Sequence, residues 1–239
     1  MSTEVEINKN TASPYANTPI VNANVRFTEV DGQRKIVMRE VGKVNDSALY
    51  AAVKRIIDIL ISVVGLILFL IPMLIISVLV KLDSEGPVFY SQERVGRNGR
   101  KFMIYKFRSM VNDAEKDGAK WADRRDERVT KIGSVLRKTH LDELPQFWNI
   151  LNGSMSLVGP RPEREVFYKK FAEYIIGFDQ RLLVKPGLTG WAQVNGGYEL
   201  LPEEKAAWDI DYIENQSVWL DIKCILKTST IIFGDEKTR

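Results

Sequence analysis

Cysteine and histidine are nearly absent from this sequence: Cys224 and His140 are the only residues of their kinds among 239. One cysteine excludes an intrachain disulfide and any metal site built from several thiolates, and one histidine excludes a zinc site with two histidines. A hard cation bound by oxygen atoms, such as Mg²⁺, is compatible with this composition. The lack of disulfides fits a reducing compartment without requiring one.

A strong excess of charge of one sign is also missing. The 34 lysines and arginines against 31 acidic residues leave a net charge of +3. Dedicated nucleic-acid-binding proteins carry a larger basic excess, so nucleic acid is not predicted as a partner. Any electrostatic recognition must therefore come from local clusters of charge.

The first 50 residues lack the apolar core that follows the initial Met in a secretory signal. Two weakly alternating stretches, VRFTEV and RKIVMREV, flank Asp31-Gly32 and are compatible with a short hairpin. The polar composition favours the other interpretation, a flexible N-terminal extension over residues 1–50.

One long hydrophobic run, Ile59 to Val80, contains no charge. As a helix it extends about 33 Å, and the hydrocarbon core of a bilayer is about 30 Å thick, so membrane insertion is favoured over burial in a protein core. Pro72 removes a backbone donor past the middle of the run and predicts a kink. A kinked helix either crosses the bilayer or turns back to the same face, and composition alone slightly favours crossing, the commoner case.

An Asn98-Gly99 pair between aromatic and β-branched stretches predicts a β-hairpin with a type I′ turn. Two of its basic residues, Lys106 and Arg108, alternate on one strand face with Phe102, and a role in phosphate binding is favoured for both. The other basic residues fit two interpretations equally well. They form either a cluster that faces phosphate, or a basic strand edge that lies in solvent or on anionic lipid. These others are Arg94, Arg97, Arg100 and Lys101.

Two adjacent acids, Asp142 and Glu143, stand shortly before Pro145. Thr139 and Asp142 match a capping box, in which the acid only serves a helix N-terminus. That register would place Pro145 inside the helix, at a cost of about 3 kcal/mol. A helix that begins at Asp142 instead places the proline among the first donors, which have no intrahelical partner. The sequence therefore predicts Asp142 at a helix N-terminus, where an ionised carboxylate and a bound phosphate are both favoured.

The two acids are expected to address different partners, because neighbouring residues of a helix point apart. Arg137 and Lys138 lie just upstream and are candidates for contacts with phosphate oxygens. An ionised carboxylate is able to act as a nucleophile toward phosphorus. Capping and chemistry do not exclude each other for Asp142.

Glycine and proline mark two later segments. In Gly159-Pro160-Arg161-Pro162 two prolines display Arg161, which suits a phosphate or nucleotide and also fits a plain surface turn. The segment VKPGLTGWAQVNG, Val184 to Gly196, is expected to form a loop with an exposed Trp191.

The C-terminal part carries apolar residues at helical spacing. This pattern predicts either a core helix or an amphipathic helix in the membrane interface, with Trp219 as its anchor. Cys224 lies in the same stretch and is expected to be a small buried residue rather than a reactive thiol.

Taken in order, these motifs resemble the bacterial sugar transferases, which are monotopic phosphoglycosyl transferases acting on undecaprenyl phosphate. The resemblance is carried by GPVFYSQERVGRNGRKFMIYKFRSM, RVTKIGSVLRKTHLDELPQFWNILNGSMSLVGPRP and KPGLTGWAQVNG. It extends from Ala51 to Phe233, about three quarters of the chain. Each motif alone is weak, but their combination is highly specific.

The resemblance implies transfer of a sugar 1-phosphate from a UDP-sugar to undecaprenyl phosphate, with release of UMP. It implies that Asp142 is the nucleophile, forms a phosphosugar-aspartyl intermediate and contacts Mg²⁺, while Glu143 helps to activate the second substrate. Lys106 and Arg137 would contact phosphate. The Pro160-Arg161-Pro162 loop would help to hold the uridine diphosphate.

The same resemblance implies an α+β fold in two parts behind the N-terminal extension. Residues 51–82 would form a membrane helix that re-enters at Pro72. Residues 83–239 would form a compact, mostly helical catalytic domain with a small β-hairpin and interfacial amphipathic helices. Such an enzyme dips into one leaflet of the bacterial inner membrane, with its catalytic domain on the cytoplasmic face.

Two positions depart from the family pattern. His140 stands where family members often carry Ser or Thr, and a solvent-side role is expected for it rather than a catalytic one. Ile71 stands where a Ser commonly precedes the proline, which removes one side-chain partner for the kink. Residues 1–50 have no counterpart in the pattern.

Other functions are compatible with parts of the sequence. A non-catalytic membrane-anchored scaffold of a polysaccharide assembly complex would use the same anchor and basic surface. A spanning helix with an outward catalytic domain conflicts with the cytosolic supply of UDP-sugars. The predicted partners are a UDP-sugar, undecaprenyl phosphate and membrane lipid, with downstream glycosyltransferases or a second copy of the chain as further candidates.

Overall fold

The computed structural model describes residues 18–30, 32–114, 116 and 126–233. Helices and small sheets are mixed along the chain, which confirms the predicted α+β class. The strands form three sheets, ordered β1-β2-β6, β3-β4 and β5-β7. The helices are α1 (Pro19–Asn24), α2 (Ala48–Leu68), α3 (Leu70–Asp83), α4 (Lys131–Thr139), α5 (Gln146–Leu151), α6 (Glu165–Ala172), α7 (Trp191–Asn195), α8 (Pro202–Glu214) and α9 (Val218–Phe233). The strands are β1 (Val25–Val30), β2 (Gln33–Met38), β3 (Phe89–Val95), β4 (Lys101–Phe107), β5 (Ser156–Val158), β6 (Ile175–Ile176) and β7 (Gly187–Thr189).

The N-terminal segment packs on the globular part of the molecule. β1 and β2 pair antiparallel, and β2 pairs in parallel with β6. Val21 and Met38 are buried in one core with residues of α6 and α8. The flexible extension predicted over residues 1–50 is therefore wrong for its described part, because the few apolar residues of this polar segment are covered by distant elements. Residues 1–17 and Asp31 lie outside the described residues.

The predicted membrane helix consists of two helices. α2 and α3 meet at Phe69 with a bend of 60°. Pro72 lies in the first turn of α3, where a missing N–H costs little, so the break precedes the proline by three residues. Among the described helices, none by itself has the length and apolarity needed to cross a bilayer. The bent pair meets both criteria together.

Much of the surface of α2 and α3 is apolar and exposed. The opposite face of α2 is buried, where Asp58 and Ser62 point into the globular part and Gly65 lies against the ring of Phe147. Contiguous apolar surface of this extent is unusual on a soluble protein and marks a face for lipid or a partner. The exposed residues are Leu49, Ile56, Leu60, Ile61, Val63, Val64, Ile67, Leu68, Leu70, Ile71, Leu74, Ile75, Val78, Leu79 and Leu82.

The predicted hairpin around Asn98-Gly99 is confirmed. β3 and β4 pair antiparallel from Phe89 opposite Phe107 to Val95 opposite Lys101. Both turn residues have positive φ, 56° for Asn98 and 76° for Gly99, as a type I′ turn requires. β4, which carries Lys106, lies against α5.

The C-terminal helix α9 divides its residues between core and solvent. Cys224 is fully buried, as predicted, and burial raises the pKa of its thiol to about 12. On the other side, Trp219 is 75% and Leu226 is 61% exposed. This helix is amphipathic, and its contact with a membrane interface stays a prediction.

Trp191 was expected to be exposed in a loop, and the structure corrects this. It begins α7 and is buried against Trp208, with ring centroids 5.8 Å apart. Its Nε1 donates a hydrogen bond to Asp211 at 2.9 Å. The glycine-rich composition of this segment resembles that of a surface loop, but here the glycines allow a tight turn into the core.

Candidate active site

The two adjacent acids lie in a short 3₁₀ turn, Leu141–Glu143, between α4 and α5. His140 has a positive φ of 57° and ends α4, so the chain turns sharply before the acids. The prediction that a helix begins at Asp142 is wrong: α5 begins at Gln146, with Pro145 as its cap. The helix-dipole argument therefore does not apply to Asp142. His140 itself is half-buried.

Glu143 is buried between two cations from distant parts of the chain. Lys106 donates from its Nζ to Oε1 of Glu143 at 2.7 Å. The Arg161 guanidinium donates to both oxygens, to Oε2 at 3.3 Å and to Oε1 at closer range. Asp142 and Glu143 are only 3% and 6% exposed. The fold thus brings Lys106 and Arg161, both predicted phosphate ligands, to one point beside Asp142.

The charge state of Glu143 follows from these contacts. Burial by itself would raise the pKa of its carboxyl, but the neighbouring charges of Arg161 and Lys106, with their hydrogen bonds, hold the pKa well below its ordinary value. Glu143 is therefore ionised at neutral pH. In this arrangement it is a weak proton acceptor and a strong anchor for two cations.

The backbone that leads to Arg161 is closely packed at Gly159. β5 and β7 pair in parallel, and a Cβ on Gly159, just after β5, would lie 2.3 Å from the Lys185 carbonyl oxygen. Arg181 donates from Nη2 to the backbone carbonyl of Arg161 at 3.0 Å and from Nε to Asp209 at 2.6 Å. The backbone of Arg161, which the two prolines display, is thus also held by a buried ion pair.

Lys106 is positioned through Asn149 of α5. The Asn149 side chain is almost fully buried, donates to the Met103 carbonyl at 2.7 Å and accepts from the Tyr105 N–H at 3.0 Å. These bonds fix β4 against the helix that follows the two acids. Sequence reasoning missed Asn149 and Arg181; the only local signal for either was a polar residue within an apolar stretch.

Two other predicted phosphate ligands do not contact Glu143. Arg108 is 4% exposed, and its guanidinium donates to the carbonyl oxygens of Val80, Ser84 and Glu85 at the end of α3. The structure thus gives Arg108 a capping role, since the last carbonyls of a helix need donors. Arg137 is half-buried in the last turn of α4. The pKa of Asp126 is lowered mainly by its hydrogen bonds with Arg128, and the charge of Arg137 adds a smaller contribution.

The donor set is compatible with a magnesium ion that the substrate helps to bind. Within the described residues, no group of three or more His, Cys, Asp or Glu side chains is arranged to hold a metal. Glu143 is engaged by two cations, which makes Asp142 the better candidate ligand of the pair. Mg²⁺ commonly takes one or two carboxylates and completes its shell with substrate phosphates and water.

Comparisons with known proteins identify the family to which the chain belongs. Residues 49–235 match the family model of the bacterial sugar transferases. The chain is 46% identical over 199 residues to the UDP-N-acetylgalactosamine-undecaprenyl-phosphate N-acetylgalactosaminephosphotransferase of Aeromonas hydrophila, over 82% of this chain and 47% of that protein. It is 40% identical over 211 residues to the UDP-glucose:undecaprenyl-phosphate glucose-1-phosphate transferase of Xanthomonas campestris pv. campestris, over 86% of this chain and 44% of that protein. The chain spans less than half the length of either relative.

Proposed function

Since the chain belongs to the bacterial sugar transferase family, we propose that it transfers a sugar 1-phosphate from a UDP-sugar to undecaprenyl phosphate and releases UMP. The proposal rests chiefly on the convergence of Lys106 and Arg161 on Glu143, beside the buried Asp142. Two fixed cations next to a carboxylate form a suitable site for a diphosphate and a nucleophile. In a bacterial cell this reaction would be the first membrane step in assembling an exopolysaccharide, capsule, O-antigen or other glycan.

The first half of the proposed reaction forms a covalent intermediate on Asp142. A carboxylate oxygen attacks the phosphorus that carries the sugar, and the bond from this phosphorus to the bridging oxygen of the diphosphate breaks. UMP leaves with that oxygen and the electron pair. Lys106 and Arg161 stabilise the charge that develops on the phosphoryl oxygens, because they are already oriented before substrate binds.

The second half returns the carboxylate. An oxygen of undecaprenyl phosphate attacks the same phosphorus, and the bond between that phosphorus and Asp142 breaks. Glu143 becomes a competent proton acceptor for this step only when substrate phosphate takes over Lys106 and Arg161, because its pKa then returns toward the ordinary range. Before that, it holds the two cations in place.

Mg²⁺ is the proposed cofactor, with Asp142 as the protein ligand. When bound, the ion would neutralise part of the diphosphate charge and make the phosphorus more electrophilic. The buried setting of Asp142 strengthens such electrostatic effects, because little water competes with them.

UMP release decides between the enzyme and the non-catalytic scaffold. The purified protein is mixed with Mg²⁺, undecaprenyl phosphate and each member of a panel of UDP-sugars. UMP release with at least one UDP-sugar, together with a sugar diphosphate lipid, is expected. No release from any UDP-sugar would favour the scaffold, and the panel also identifies the sugar.

Replacement of Glu143 by Gln should separate the two halves of the reaction. Gln keeps the size of the side chain but loses the charge that anchors Lys106 and Arg161. We expect a burst of UMP without acceptor to persist, while transfer to undecaprenyl phosphate slows by about 100-fold or more. Rapid-quench measurements with and without acceptor check this; undiminished steady-state turnover would contradict the role of Glu143.

We further propose that the exposed face of α2 and α3 lies in the cytoplasmic leaflet of the bacterial inner membrane. The lipid-linked acceptor requires access to a membrane, and the apolar residues of the bent pair provide about the length needed to enter one. The 60° bend supports a re-entrant path in which both ends stay on the cytoplasmic side.

Single cysteines on either side of the bent pair test this topology. Lys43→Cys and Glu85→Cys place exposed thiols before α2 and after α3, while the buried native Cys224 gives little background. We expect a membrane-impermeant maleimide to label both variants in inside-out vesicles and neither in intact spheroplasts. Labelling of the two from opposite sides would establish a spanning helix. Leu74→Cys, within the apolar face, is the control and should resist the reagent in both preparations.

A further inference from the structure

Asp58 and Arg55, one turn apart on α2, contact α5 and β5, which lie next in sequence to Glu143 and Arg161. The Arg55 guanidinium donates to the carbonyl oxygens of Ile150 and Leu151, both at 2.7 Å, at the end of α5. Oδ1 of Asp58 accepts from the Leu157 N–H at 2.9 Å and from the Ser156 hydroxyl at 3.1 Å, within β5. The lipid-facing helix thus binds both segments by polar side chains.

In both α5 and β5, the end that contacts α2 is the one farther along the chain from Glu143 or Arg161. α5 starts three residues after Glu143, and Arg55 binds its other end. β5 ends three residues before Arg161, and Asp58 binds its start. The relative position of α5 and β5 decides whether the guanidinium of Arg161 reaches the carboxylate of Glu143.

Asp58 accepts a hydrogen bond from a backbone N–H of β5 that β7 does not pair. The strand pairs with β7 through Ser156 opposite Gly187 and Val158 opposite Thr189, so the N–H of the intervening Leu157 points away from β7. Asp58 supplies the acceptor that a further strand would otherwise provide. Asp58 is only 3% exposed. A polar group buried this deeply is costly unless its hydrogen bonds are kept.

We propose that Arg55 and Asp58 are positioning residues, which set the distance between Glu143 and Arg161 from the membrane-facing helix. They touch no substrate; they act by fixing the end of α5 and the start of β5 on one rigid element. The catalytic consequence rests on the function proposed above. A misplacement of about 1 Å between catalytic groups costs on the order of 100-fold in rate, so loss of either residue should be measurable.

A double-mutant cycle tests this coupling in the full-length protein. Asp58→Ala should lower kcat/KM for the UDP-sugar by about 10- to 100-fold. In an Arg161→Ala background, Asp58→Ala should cause little further loss of kcat/KM, because the contact between Arg161 and Glu143 is already absent. Asp58→Asn should restore most of the activity, since both hydrogen bonds are accepted by Oδ1, which Asn retains. Equal factors in both backgrounds, or an Asn variant as impaired as the Ala variant, would overturn the proposal.

Ser62→Ala is the matched control. Ser62 is fully buried one turn further along α2, and its hydroxyl makes no hydrogen bond within the described residues. This variant should leave kcat/KM unchanged, which separates the specific contacts from general disturbance of the helix.

Hydrogen exchange gives a readout that does not require activity. Asp58→Ala should increase amide exchange across residues 156–163, and Arg55→Ala across residues 141–153, whereas Asp58→Asn and Ser62→Ala should change neither. Unchanged exchange in both Ala variants would overturn the positioning role. If the wild-type protein releases no UMP, the proposed function is overturned. The exchange measurement then still tests the positioning role, because it does not depend on activity.

Discussion

Asp142→Asn should abolish turnover, with a loss of about 10⁴-fold or more, the scale seen when a catalytic nucleophile is removed. The amide has no charge with which to attack phosphorus, yet it fits the same buried space in the turn. The covalent adduct should disappear as well. Mass spectrometry of protein quenched after mixing with a UDP-sugar should show the added sugar phosphate in the wild type and not in Asp142→Asn.

The adjacent Glu143→Gln variant is the matched control for this result. It sits one residue away in the same 3₁₀ turn and also removes one buried carboxylate. It should keep the adduct, because it leaves Asp142 intact. An adduct that persists in Asp142→Asn, or full turnover by that variant, would assign the nucleophile to another residue.

Asp209→Asn should destabilise the protein by about 3–5 kcal/mol, because it leaves the buried guanidinium of Arg181 without its counter-charge. The side chains of both residues are 2% exposed, and Nε of Arg181 lies 2.6 Å from Oδ2 of Asp209. Burial raises the pKa of Asp209, but the carboxylate stays close to a guanidinium whose pKa is also raised, so the pair is best described as ionic. Thermal unfolding in detergent should show a decrease of roughly 10 °C or more.

Two comparisons make this stability prediction specific. Lys169→Gln removes a solvent-exposed ion pair with Glu165 and should leave the melting temperature unchanged. The double replacement Arg181→Met with Asp209→Leu should recover much of the lost stability, because no buried charge is left unpaired. It should not restore activity, since the donor to the Arg161 carbonyl is missing. Equal melting temperatures for the wild type and Asp209→Asn would contradict the account.

The candidate site illustrates how far local patterns lead. The sequence predicts a phosphate-directed site from the Asp142-Glu143 motif, the Pro160-Arg161-Pro162 loop and Lys106. Local patterns do not predict the contacts among them, because Glu143 is separated by 37 residues from Lys106 and by 18 from Arg161. The position of Asp142 was also misassigned, since proline preference alone does not reveal the left-handed turn at His140.

The sequence by itself determined the features that depend on neighbouring residues. Composition excluded intrachain disulfides and cysteine- or histidine-rich metal sites. The 22-residue apolar run from Ile59 to Val80 marked the segment that forms the exposed apolar face of α2 and α3, and Asn98-Gly99 defined the hairpin. Each of these follows from local backbone preference or from the hydrophobicity of a contiguous stretch.

The tertiary structure alone decided which partner each buried polar group has. It assigned Arg108 to the end of α3, Arg181 to Asp209, and Asp58 to the free edge of β5. It also covered the polar N-terminal hairpin with distant helices. The physical reason is that a buried charge must find its hydrogen-bond partner wherever the folded chain supplies one, and the distance along the sequence places no limit on that choice.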